Sequence, residues 1–163
     1  MKKYLYIFLI AMVPLIELRG AIPVAYGIKE MHPDFNLLLA YLIIMVGNMI
    51  PVPFIYFFAR RILEWGKDKP VIGKFFNWCL EKGKKGGEKL QEKARHGQYV
   101  ALLLFVGIPL PGTGAWTGTL AASILNMDFK KSIIAVIGGI VLAALIVGVV
   151  CTLGFGAIFG INA

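Results

Sequence analysis

"VPLIELRGAIPVAYG", residues Val13 to Gly27, sets an acid and a base two positions apart in otherwise apolar sequence. Glu17 and Arg19 lie between Pro14 and Pro23, with Gly20 and Gly27 close by. Taking either charge out of water is costly unless a partner or a polar cavity compensates. On a regular helix, residues two apart do not face each other. Either the backbone is broken here, or each charge finds its partners elsewhere in the chain.

The surroundings say what kind of medium the pair sits in. Of 163 residues, 58% are apolar and 16% charged, and the mean hydropathy is +0.76. So few polar side chains cannot cover a soluble domain of this size, which points to an integral membrane protein of about one domain. The charge is uneven. Arg60 to His96 holds eleven Lys/Arg and five Asp/Glu, which supplies six of the net +8. A basic block between apolar stretches reads as a cytoplasmic loop; without a fold-level motif it does not read as a nucleic-acid site. Cys79 and Cys151 are too few for a disulfide framework and are expected to be reduced thiols. The start resembles a signal peptide but lacks a small-x-small cleavage site before Glu17, so it is expected to be retained.

Five apolar stretches follow one another. Tyr4–Ile16 and Gly20–Ile28 are short for a crossing, which needs about 20 residues. Leu37–Phe58 is long enough, with "GNMIPVP" (Gly47–Pro53) expected to bend it. Gln98–Leu125 is interrupted by "GIPLPGTGAWTG" (Gly107–Gly118), and Ile133–Ile161 is uncharged throughout. Short segments broken by Gly and Pro suggest re-entrant helical hairpins, whose irregular backbone survives at membrane depth only against protein or a watery cavity. The expected fold is all-α: two re-entrant hairpins plus two long transmembrane helices. A first repeat would cover residues 1–61, a basic linker 62–96, and a second repeat 97–163. "ELRGAIP" (Glu17–Pro23) aligns with "PLPGTGA" (Pro109–Ala115) at an offset of about 92, and Asp34-Phe35 with Asp128-Phe129 at about 94. With the loop cytoplasmic, the hairpins open to opposite sides, which makes the repeat inverted. If residues 4–16 cross fully instead, that topology fails. Asp34 and Asp128 are expected to cap the two long spans. Within the loop, Pro70–Lys85 forms a basic amphipathic pattern suited to a membrane surface or to the protein's own cytoplasmic face, and His96 reads as interfacial.

Glu17 is the candidate proton-coupling group, since a carboxyl at membrane depth can take up and release a proton. Arg19 presents a planar fork suited to carboxylate or phosphate. Gly20, Gly112, Thr113, Gly114 and Thr117 offer small side chains, hydroxyls and exposed amides for a substrate, with Asn48 and Trp116 as further lining. The bland alternatives are a structural ion pair, small-residue packing, capping and interfacial anchoring. No grouping suggests catalysis, a metal site or a cofactor, so no enzyme is expected.

The order "PLIELRGAIPVAYG", "GIPLPGTGAWTGTLAASILNMDFKKS" and a long Gly/Ala-rich span resembles the bacterial small multidrug export proteins, themselves similar to the DedA/VTT membrane proteins. The resemblance implies an inner-membrane, multi-pass protein with facing hairpins, and a secondary transporter or lipid flippase. It would be proton-coupled, for an anionic amphiphile such as undecaprenyl phosphate. The basic residue that usually follows Pro-Gly-x in DedA hairpins is Gly114 here. The alternatives are an exporter of cationic compounds and a non-transporting scaffold acting through the loop. Expected partners are membrane lipids, protons and a small amphiphilic or lipid-phosphate substrate, with no nucleic acid. Four membrane elements are few for enclosing a path, which favours a homodimer.

Overall fold

The computed structural model describes residues 2–14, 16–66, 97–110 and 112–159. The amphipathic stretch Pro70–Lys85, Cys79, His96 and most of the expected linker lie outside the described residues. Those described are helical: α1 Lys2–Met12, α2 Glu17–Met31, α3 Leu37–Met49, α4 Pro51–Gly66, α5 Gly97–Gly107, α6 Ala115–Ile124 and α7 Phe129–Phe159. At about 1.5 Å per residue, α1 reaches about 16 Å, half of the roughly 30 Å hydrocarbon core. By length and composition, Leu37–Ala59 and Phe129–Gly154 can each cross a membrane.

Proline explains the joint between α3 and α4. Pro51 and Pro53 have no N–H to donate to carbonyls four residues earlier, yet Pro is well tolerated at the first helical position. The interruption is the single residue Ile50, which keeps right-handed helical angles and bonds Val46 O. The expected bend therefore leaves one nearly continuous span. Helix α2 carries Glu17 in its first turn and Lys29 in its last, the arrangement that suits its dipole.

Capping of the long spans differs from the sequence expectation at one end. Asp128 does cap α7, its carboxylate accepting the Lys131 N–H at 3.0 Å. Asp34 does not cap α3; Asn36 does, accepting the Leu39 N–H at 3.1 Å. Helix α3 starts at Leu37, so only residue 36 has the register to reach that amide.

The start of each short helix pair lies beside the start of the long helix that follows it. The Tyr4 hydroxyl near the start of α1 accepts the Asn36 N–H at 3.0 Å, and its ring stacks on Phe35 with centroids 4.7 Å apart. The Tyr99 hydroxyl near the start of α5 accepts the Asp128 N–H at 3.3 Å. Helix α1 packs on α2 and α3, and α5 on α6 and α7, while α2 lies against α7 and α6 against α4. Small residues at these crossings bring backbones close, as in membrane helix packing generally. A Cβ on Gly47 would meet Phe8 O at 2.9 Å, and one on Gly139 would meet Leu103 O at 2.7 Å. The core is built from Ala11, Ala21, Ala25, Ala40, Ala143 and larger neighbours such as Ile22 and Ile140.

Because Gly139 faces a backbone atom that cannot swing away, Gly139→Leu should cost about 1–3 kcal/mol. Gly154 has open space around its Cβ position, and Gly154→Ala should be neutral or slightly stabilising. Thermal unfolding in detergent, followed by circular dichroism, checks both.

Candidate functional site

The joint at residues 13–16 ends α1 and lets α2 begin with Glu17 at φ 50°, a left-handed conformation that a non-glycine residue adopts only under constraint. The constraint is visible at the other end of the side chain. Glu17 is 4% exposed, and its two carboxylate oxygens accept the N–H groups of Ala115 at 3.1 Å and Trp116 at 3.0 Å. These are the first amides of α6, which have no carbonyl partner within their own helix and carry its positive dipole end. The acid of the first helix pair thus caps a helix of the second.

Arg19 does the converse. Its guanidinium donates to Leu110 O, to Ile108 O at 3.4 Å and to the Thr113 hydroxyl at 2.7 Å. Those carbonyls follow the C-terminal end of α5, where partial negative charge gathers. The Thr113 hydroxyl also lies 2.9 Å from Ile108 O and from Leu110 O, tying the tip together. The pair is therefore engaged elsewhere in the chain and the backbone is irregular at Glu17 too, so both alternatives left by the spacing of two are met.

Glycine at 114 is a condition of this contact. Its φ is 146°, and a Cβ there would fall 2.2 Å from Glu17 Oε2. Gly112, at φ 80°, makes the turn before it.

Beside the joint lies a cavity of about 590 Å³, within the range that holds drug-sized ligands. Its wall comprises the tips around Glu17, Gly112 and Thr113, one face of α4 with Phe54 and Phe58, and one face of α6 with Trp116 and Thr117. Glu17 is the one charged residue among the described residues that line it. Trp116 Nε1 is buried with no hydrogen-bond partner among the described residues. The Thr117 hydroxyl turns back to Gly114 O at 3.4 Å. Phe54, Phe58 and Leu120 are exposed as well as cavity-lining, so the cavity opens to the surface beside them.

Of the residues expected to form a site, the structure brings Glu17, Gly112, Thr113, Trp116 and Thr117 to one cavity, with Gly114 supporting Glu17. Arg19 contributes to the tip through Thr113. Gly20 is outside the wall and packs beside the Ile16 side chain. Asn48 is fully buried in α3 and outside the wall, and neither amide atom has a partner among the described residues. Sequence reading did not pick out Phe54 and Phe58. Their four-residue spacing after Pro51 puts both on one face of α4, but in a membrane segment it reads equally as lipid-facing. Among the described residues, no three His, Cys, Asp or Glu converge as metal ligands would.

Glu17→Gln keeps one acceptor for two amides and removes the charge, a loss of about 1.5–3 kcal/mol. Gly114→Ala should destabilise similarly by pushing the carboxylate away. Since both remove one contact, the double variant with Glu17→Ala should cost less than the sum, a non-additivity that chemical denaturation of purified protein measures.

Comparison with known proteins identifies one family. Residues 17–146 match the family described as "Putative small multi-drug export protein". No curated protein and no solved structure matched. The match begins at Glu17, takes in α2 to α6 and runs into α7 as far as residue 146, so the chain belongs to the small multi-drug export protein family.

Proposed function

We propose that this protein is a secondary membrane transporter that exports lipophilic cations in exchange for protons, with Glu17 as the group both compete for. The observation that carries the reading is the charge at the cavity. An aromatic, apolar chamber of about 590 Å³ has one carboxylate at its end, while the Arg19 guanidinium is taken up by the carbonyls of Ile108 and Leu110. An aromatic chamber with a single acid suits a cation with a large apolar body, through burial and ring–cation attraction. An anionic amphiphile such as undecaprenyl phosphate, or a flippase role of the DedA kind, is less well served. The amides that would hold its phosphate already hold Glu17.

Exchange is the mechanism this reading gives to Glu17. As a carboxylate, Glu17 fastens the first helix pair to the start of α6. Proton and cation each neutralise it, so each displaces the other, and either one weakens the contact between the pairs. The opening beside Phe54 and Phe58 faces the bilayer, so the compound enters from lipid.

This reading takes the membrane arrangement as an inverted repeat with the loop cytoplasmic, in a bacterial inner membrane. Three correspondences support the repeat. Tyr4 and Tyr99 each accept the backbone N–H ahead of a long span. Phe8 and Leu103, four residues after each tyrosine, face Gly47 and Gly139. The second helix of each pair, α2 or α6, packs on the long span of the other half.

Proteoliposomes with a pH gradient test the proposal, using tetraphenylphosphonium as the cation. The wild type should exchange it against protons, and Glu17→Gln should lower proton-driven transport at least tenfold. Phe58→Ala with Trp116→Ala should raise KM more than it lowers kcat. Unchanged proton-driven exchange in Glu17→Gln would remove Glu17 from the coupling role.

A further inference from the structure

Glu17 is buried, and the cavity beside it opens next to Phe54 and Phe58. A proton reaching or leaving Glu17 needs water or polar groups along its way, and an opening onto lipid supplies neither. Helix α6 carries such groups on one face. Ala115, whose N–H meets Glu17 Oε2 at 3.1 Å, is followed at steps of four by Thr119, Ser123 and, just beyond the helix, Met127. Residues four apart on a helix share a face, and all four are buried. The Ser123 hydroxyl donates to Tyr56 O at 2.7 Å, and the Tyr56 hydroxyl donates to Met127 O. Asp128 comes next, exposed, with its N–H on the Tyr99 hydroxyl at 3.3 Å. The stripe thus runs from Glu17 to the end of the molecule where α5 and α7 begin, the side to which the basic segment joins.

One member does not fit a packing role. A helical threonine ordinarily turns its hydroxyl to a carbonyl three or four residues back. Thr117 does so toward Gly114 O, and Thr152 toward Gly148 O at 2.9 Å while also lying 2.9 Å from the Tyr26 hydroxyl. The Thr119 hydroxyl is buried with no partner among the described residues. Burying a hydroxyl unpaired lowers stability, whereas a valine of the same shape would not. The frame shared by the halves does not require it either. At the offset of 92 that pairs Gly20 with Gly112, the matching residues of α2 are Pro23, Gly27 and Met31. At these positions hydroxyls occur only on the helix that Glu17 caps.

We infer that Thr119 and Ser123 carry the proton between Glu17 and the loop side, by a way separate from the cation's; the inference rests on the exchange reading above. Steps of four residues on a helix are about 6 Å apart, a gap that one transient water spans between two hydroxyls. In release, the Glu17 carboxyl gives its proton to the first water. Each hydroxyl then accepts one proton and passes on its own, and water beside Asp128 takes the last. The hydroxyls end unchanged, and Glu17 is left as the carboxylate that holds Ala115 and Trp116. The other titratable groups along this way are Tyr56 beside Ser123, and Asp128, Tyr99 and Lys131 at its mouth. Arg19, at the tip, is held by carbonyls.

Thr119→Val and Thr119→Ser test this. Thr119 lies outside the cavity wall, so both variants should fold and bind tetraphenylphosphonium in detergent within twofold of the wild type. In proteoliposomes Thr119→Val should slow proton-driven exchange at least tenfold. Exchange of labelled for unlabelled cation, which moves no proton, should stay within twofold. Thr119→Ser keeps a hydroxyl and should bring proton-driven exchange back to within threefold of the wild type, while Ser123→Ala should slow it as Thr119→Val does. Wild-type proton-driven exchange in Thr119→Val overturns the route and leaves the transport reading standing. An equal loss of both exchanges makes Thr119 structural and overturns the route too. A wild type that neither binds nor moves the cation sinks the transport reading; the route is then judged without a ligand, by time-resolved infrared spectroscopy in nanodiscs after a pH jump. The carboxyl C=O band of Glu17, identified by its loss in Glu17→Gln, should rise at least tenfold more slowly in Thr119→Val and reach the same height. Equal rates in the two proteins, or no such band in the wild type, defeat the inference.

Discussion

Two helix ends of opposite polarity hold this molecule's halves together, and one short segment supplies the counter-charge for both. Glu17 meets the amino end of α6, and Arg19 meets the carbonyls beyond α5. In water such contacts are worth little. In a medium with no competing solvent, an orphan amide or carbonyl costs several kcal/mol, and these contacts partner two amides of α6 and two carbonyls beyond α5. The placement of two charges in apolar sequence, unexplained locally, is explained by the other half of the chain.

The helical make-up of the described residues and the two long spans were legible before coordinates. Helix lengths followed from the Gly and Pro positions around Glu17 and around Gly112, and the two long spans from apolar runs of 22 and 29 residues. The spacing of Glu17 and Arg19 left a broken backbone or distant partners as alternatives, and the structure has both. What could not be read was which partners, because backbone amides and carbonyls leave no trace in side-chain identity. Asp34 was taken for a cap because it matches Asp128, but the helix starts two residues later than that match implies and Asn36 serves. The cavity wall on α4 was hidden for a different reason: a phenylalanine facing lipid and one facing a ligand look alike when the surroundings are uniformly apolar. The Tyr26–Thr152 contact joins residues 126 apart, beyond any local pattern.

The halves share a scaffold and differ in chemistry. Tyrosines brace both short pairs against their spans, and glycines at corresponding places admit a carbonyl of the preceding arm. Yet among the described tip residues only the first half carries charge, and the second offers backbone.

The crowding at Gly114 has a consequence for how such a sequence can change. The acid's length and the glycine's bareness answer each other: a longer group at one position leaves no room at the other. Drift at either position alone would unseat the first turn of α6, and the φ of 146° at 114 disfavours a side chain there even where a shorter acid leaves room. The tightest contact between the halves is, in that sense, inherited as a pair.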